Sequence, residues 1–119
     1  MEKIISSLLK IAGVACISLF AAEASAQATT VSNVGISKIR TGWAADAFAL
    51  ETTGTPIANP AGCVTADGYM TDSSQPGYKT FLMMATMAMA TEKKIIVVVS
   101  NSECISNRPK IWGIYIEQQ

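Results

Sequence analysis

The feature that most limits how this chain can fold lies between Pro76 and Ser100, where an apolar pattern of helical period passes directly into one of strand character. Phe81, Leu82, Ala85, Ala88 and Met89 recur at the spacing that stacks side chains on one side of a helix, so Tyr78 to Ala90 predicts an α-helix. Its other side carries Met83, Met84, Met87 and Ala90, with only Lys79, Thr80 and Thr86 to meet water. A helix apolar on both sides is normally covered on both sides. Ile95 to Val99 is an unbroken β-branched run, the pattern of a strand buried on both faces or of a barrel wall. A small chain can lay a sheet against one helix face. Covering the second predicts another subunit.

The N-terminus reduces the length left for a core. Lys3 begins a short basic region, Ile4 to Ala22 is apolar apart from Ser6, Ser7, Lys10 and Ser18, and Ala24-Ser25-Ala26 is a small-residue cleavage site. Together these predict a secretory signal peptide over residues 1–26 and a mature domain over 27–119, secreted or periplasmic, with no membrane span. Lipidation at Cys16 is disfavoured, because the preceding Gly13-Val14-Ala15 lacks the larger aliphatic residue usual at its first position. Removal of the leader leaves Cys63 and Cys104 alone, and an even pair in an exported chain predicts one disulfide. Closing a loop of about forty residues would stabilise the domain by about 4 kcal/mol.

In chain order, Thr29 to Thr41 alternates imperfectly and predicts a long first strand, ended by Gly42 and Trp43. Asp46 to Thr52 sets Phe48 and Leu50 among small or polar neighbours and predicts a second, hairpin-paired strand. Thr53 to Gly62 is dense in Gly, Pro, Thr and Asn and reads as a loop. Cys63 to Met70 predicts a short third strand interrupted at Asp67-Gly68. Ser73 or Ser74 is the expected helix N-cap, with Pro76 near the first helical position, and Lys93 and Lys94 would complement the helix C-terminus. Asn101 to Pro109 reads as a polar loop, and Ile111 to Ile116 as a final strand. The order is three strands, one helix and two strands. That order fits a mainly β fold, a small five-stranded Greek-key barrel of the oligonucleotide/oligosaccharide-binding (OB) type with its helix between strands 3 and 4.

Little in the composition supports catalysis. The chain has no histidine, which removes His-based triads, Cys–His dyads and His-containing metal sites. The acids of the mature segment, Asp46, Glu51, Asp67, Asp72, Glu92, Glu103 and Glu117, are scattered, and no two are marked as a catalytic pair. The methionines at 83, 84, 87 and 89 are spaced for helix packing rather than for a soft-metal site. No cofactor is expected. Net charge is zero and the basic residues cluster no further than the pairs Lys38/Arg40, Lys93/Lys94 and Arg108/Lys110, so no footprint for nucleic acid is expected either.

Two stretches carry a family likeness. Val31 to Gly42, VSNVGISKIRTG, resembles the opening strand of the B subunits of subtilase cytotoxin and related pertussis-like toxins, and Phe48-x-Leu50-Glu51 resembles their second strand. Tyr78 to Val99 is similar to their succession of helix, tight turn and β-branched strand. The resemblance implies a secreted, non-enzymatic, pentameric barrel that binds sialylated glycans on host cells and carries an enzymatic A subunit. It places the glycan-binding serine at Ser32, with Thr30 and Asn33 beside it. It also implies that the helices gather on the central axis, with Met83, Met84 and Met87 in the subunit contact. Thr30 stands where some members have an aromatic residue and Val99 where others have tyrosine, which implies a different glycan. Ala49 replaces the cysteine usual in the second strand, which leaves Cys63 to pair with Cys104. A different expectation, of another class, is a periplasmic protein-binding or inhibitor-like module built on the same barrel.

Overall fold

In a computed structural model of the chain, which describes residues 27–42 and 45–118, five strands and one helix occur: β1 (Ala28–Thr41), β2 (Ala47–Thr53), β3 (Tyr69–Asp72), α1 (Tyr78–Ala90), β4 (Ile95–Ile105) and β5 (Arg108–Ile116). The expected leader, with Cys16, and the strand end at Trp43 lie outside the described residues. β1 is long enough, at 14 residues, to serve two partners. Its first half pairs antiparallel with β4, Thr30 opposite Val98 and Val34 opposite Ile95. Its second half pairs with β2, Ile39 opposite Leu50. β2 continues to β3, β3 meets β5 in parallel through the pair Met70–Lys110, and β5 returns antiparallel to β4. The ring β1-β2-β3-β5-β4 closes on itself, with α1 between β3 and β4. This is the expected OB-like barrel, narrowest in pairing at the β3–β5 seam.

The switch of period seen in the sequence builds the core. Ile95, Val97 and Val99 of β4 point inward with Ile111 and Ile114 of β5, Val34 of β1, and Phe48 and Leu50 of β2. α1 closes one side of this core through Tyr78, Ala85 and Ala88. The two alanines, both fully buried, let the helix backbone approach the strands. Tyr78 packs its ring on Phe48, centroids 5.6 Å apart and tilted by 43°. Each large apolar side chain removed from water in this way contributes about 1.5–3 kcal/mol.

The two faces of α1 are not divided as the sequence predicts. Met84 is half-buried and packs on the barrel core, with Phe81 and Leu82. Met89, expected inward, is 41% exposed, and Met83 and Met87 are 57% and 51% exposed. The helix is therefore wet along Met83 and Met87, one turn apart. Its start also differs: the N-cap is Gly77, with no side-chain cap. Ser74 instead donates its N–H and hydroxyl to the Asp72 carboxylate, forming the turn before the helix. A Cβ at Gly77 would come 2.7 Å from the Phe81 ring, so a larger residue there would have to displace that ring. At the other end Glu92 adopts φ 55, and the Lys93 and Glu92 N–H groups bond the Ala88 and Met89 carbonyls at 2.9 and 3.3 Å. That is a Schellman closure. The backbone N–H of Lys93 thus satisfies one of the last helical carbonyls.

Two loop boundaries are also corrected. The third strand is confined to Tyr69–Asp72, and Cys63 to Gly68 is irregular. The expected polar loop from Asn101 to Pro109 is mostly strand, because β4 and β5 continue as a hairpin out to Ile105 and Arg108. Ser106 and Asn107, at φ 47 and 65, form the turn, as a two-residue hairpin with positive φ at both positions requires. The hairpin tip folds over the outer side of the β2–β3 pair, where Ile105 covers Ala47, Ala49 and Met70. Hence β2 is buried on both faces over Ala47–Leu50.

The expected disulfide fastens this tip. Cys63 and Cys104 are bonded, with Cα atoms 5.9 Å apart and a sequence separation of 41, and the Thr65 N–H donates to the Asn107 carbonyl at 2.8 Å. The 54–68 loop and the hairpin are thus one unit. Replacing both cysteines by serine should lower unfolding free energy by about 2–5 kcal/mol. Denaturant unfolding of the variant against the oxidised protein measures this, and equal midpoints would show that the loop is held without the bond.

Candidate functional site

Among the described residues, exposed side chains able to recognise a ligand gather on the outer face of the β1–β4–β5 sheet. On β1 the register with β4 slips between Val31 and Val34, so that Ser32 and Asn33 together stand opposite Ile96. A bulge of this kind bends the strand and turns neighbouring side chains outward. Asn33 takes the left-handed conformation, φ 62, which Asn tolerates better than most residues. Thr30, Ser32 and Asn33 are all exposed, and Thr30 lies on the same outer face, opposite Val98. The structure therefore brings together the three residues implied by the family likeness. Val99, named there as a position of difference, is buried in the core and faces away from them.

The sequence reading missed the aromatic part of this face. In a regular strand Trp112 and Tyr115 would point to opposite sides. A second bulge intervenes, since Val98 pairs with Gly113 and Val99 with Ile111, leaving Trp112 as the extra residue. Ile111 and Ile114 are consequently both buried, and Trp112 and Tyr115 are both exposed, at 38% and 57%. Tyr115 pairs with Ile96, the residue facing the first bulge. The signal was available in Gly113, because a glycine within a strand pattern marks a bulge.

The charged side chains of the 54–68 loop, β1, β2 and the β4–β5 hairpin are engaged with one another. Arg108 grips Asp67 with two bonds, Nε to Oδ1 at 2.7 Å and Nη2 to Oδ2 at 3.2 Å, and Arg40 Nη2 reaches Oδ1 at 3.1 Å. Arg40 and Lys38 also meet Glu51, each at 3.3 Å, and Lys110 meets Glu103 at 3.1 Å. The Arg108 hydrogen bond, with help from Arg40, holds the Asp67 carboxyl down at about 2 despite some burial. This network ties the 54–68 loop to β1 and β5. On the opposite loop, the Tyr78 hydroxyl donates to Asp46 at 2.7 Å; that bond and burial push the phenol up to about 12. Each of these acids has a structural partner, and no pair of carboxylates faces a common cleft in these contacts. A pocket of about 410 Å³ opens between Gly35–Ile36 of β1 and Ala88–Met89 at the end of α1, with Lys93 and Lys94 on its rim. It holds none of the residues expected at a site.

Among the described residues no cluster of cysteine and acidic side chains could hold a metal, and no helix is long and apolar enough to cross a membrane. The chain matches no protein-family model and no curated protein. The disulfide fits an exported domain.

Asp67 gives the domain an acid limit. Its folded pKa is depressed below the ordinary carboxylate value, so its contribution to stability is present above about pH 4 and is lost as pH falls towards about 2. Asp67→Asn should therefore be less stable than the parent at pH 7 and converge with it near pH 2, read from thermal midpoints across that range. Parallel pH profiles for the two proteins would show that the network contributes nothing to stability.

Proposed function

We propose that this chain is a secreted, non-enzymatic binding subunit that assembles with copies of itself and recognises a glycan on the outer β1–β4–β5 face. The observation that carries this reading is the β1 bulge, which gathers the exposed polar groups of Thr30, Ser32 and Asn33 on one sheet face. A hydroxyl and a carboxamide there can donate to a sugar carboxylate or hydroxyl. The OB-like ring supports it as a frame, and the likeness of Val31 to Gly42 to toxin B subunits supports a sialylated ligand and an enzymatic A subunit as partner.

Assembly is supported by the uncovered side of α1. Met83 and Met87 stand one turn apart and more than half exposed. Exposed thioethers of this kind are common at adaptable protein contacts. A symmetric ring of copies would cover them, and a pentamer is the arrangement implied by the resemblance. Met84 belongs to the barrel side and contributes less to that contact.

Two measurements test the two halves of the proposal. Native mass spectrometry should find an oligomer, and Met83→Lys with Met87→Lys should give folded monomers with little change in far-UV circular dichroism. A monomeric parent would remove the assembly half. On a glycan array the assembled protein should bind sialylated structures, and Ser32→Ala should weaken that binding by about tenfold, as for loss of one hydrogen bond to a charged group. An assembled protein that binds no glycan and captures a periplasmic protein instead would replace this reading with that of an inhibitor-like module.

A further inference from the structure

Resting on the glycan reading above, we propose that Trp112, Gly113 and Tyr115 form a stacking platform for a neutral pyranose ring, next to the polar bulge at Ser32 and Asn33. The bulge in β5 is what makes the platform. It places both aromatic side chains on the outer face, with a glycine between them that has no side chain to cover the sheet. Tyr115 lies down over this bare position: a Cβ on Gly113 would stand 3.9 Å from the tyrosine hydroxyl and 3.6 Å from Val98. The aromatic pair stands over Val98 and Ile96, which pair with Gly113 and Tyr115.

Charge decides what can lie on it. The two cross-strand rows are Thr30–Val98–Gly113 and Ser32/Asn33–Ile96–Tyr115, and neither contains an ionisable group apart from the tyrosine phenol. Stacked bases of a nucleic acid would need cations along the backbone path. Lys94, at the foot of the Ile96–Tyr115 row, lies across from Glu117, whose N–H donates to the Lys94 carbonyl at 3.3 Å, and Lys38, Arg40, Arg108 and Lys110 are paired with Glu51, Asp67 or Glu103. A neutral sugar has the matching chemistry. One face of the ring presents C–H groups to the electron-rich aromatic faces, and its hydroxyls reach the polar groups at the edge.

The spacing sets the size of the ligand. From β1 to β5 there are two inter-strand steps, roughly 10 Å, so Ser32 and Tyr115 are too far apart to hold one ring. A disaccharide or longer chain spans them. An acidic terminal sugar at the bulge places the next, neutral ring over the aromatic pair, which makes the platform a determinant of the second sugar.

The test uses Trp112 as its own reporter, in assembled protein carrying Trp43→Phe, titrated with sialyllactose, lactose and free sialic acid. Sialyllactose and lactose should perturb the Trp112 fluorescence, and free sialic acid should not. Trp112→Ala and Tyr115→Ala should each weaken sialyllactose binding by about tenfold or more, as for truncation of a buried aromatic anchor. Tyr115→Phe should keep most of it. Gly113→Leu should block the platform without touching the core. If sialyllactose binds in a Ser32-dependent way but these variants stay within about twofold of the parent, the platform is overturned and the glycan reading stands. If none of the sugars binds, the glycan reading fails and the platform with it. If Trp112→Ala dissociates the oligomer, the face is a subunit contact and the inference is overturned.

Discussion

The bend in β1 is the constraint on which the rest of the molecule depends. One strand must leave β4 and join β2 for the ring to close, and a straight strand of that length would run past both. The slip at Ser32–Asn33 and a second irregularity between Ile36 and Lys38 give β1 its turn. Val34, fully buried between them, anchors the turn to the core opposite Ile95. The same event has a surface consequence. Residues that cannot be paired at the bulge are left facing water, so the polar cluster is a by-product of barrel closure and is held as firmly as the barrel itself.

A domain of this size has a modest core, and its seams are held by specific ties. The weakest seam in pairing terms is between β3 and β5, which share one bridge. It is flanked by the disulfide and by Arg108 on Asp67 on one side. On the other, Thr71 donates to Gln75, whose amide donates to the Ile111 carbonyl at 3.0 Å. Cross-links and buried hydrogen bonds thus gather where the sheet ladder is thin. The charged network lies in this tie rather than on the outer sheet face. That placement leaves the cross-strand rows through Val98 and Ile96 without a charged side chain.

The long periodic elements were legible because their pattern is set by burial of many residues at once. The limits of α1 and the inward run of β4 follow from period alone, and a helix between the third and fourth strands follows from their order. What escaped was local geometry. Asn101 to Pro109 reads as loop because hydroxyl, amide and carboxylate groups dominate it, yet a two-stranded tip projecting from the barrel can carry polar residues on both faces. Ala47 and Ala49 carry no burial signal of their own beside Phe48 and Leu50, but the tip and its disulfide bring Ile105 over them. Trp112 and Tyr115 were missed for a single reason: a bulge shifts the period of two by one residue, and every side chain beyond it changes face.

The two exposed apolar surfaces differ in kind, and the difference bears on their use. Methionine side chains have several rotatable bonds and can adapt to a partner, which suits a contact between identical copies whose exact packing is set by symmetry. Tryptophan and tyrosine are stiff and lose little freedom when covered, which suits repeated recognition of a small rigid ligand. α1 packs its inner side on β1 and β5, so its methionines emerge on a helix surface while the aromatics emerge on a sheet surface. Because the surfaces belong to different elements, covering one does not require covering the other. Assembly through the helix would leave the sheet face open, and several copies in a ring would then present several such faces at once, raising the avidity for a clustered ligand without any new contact.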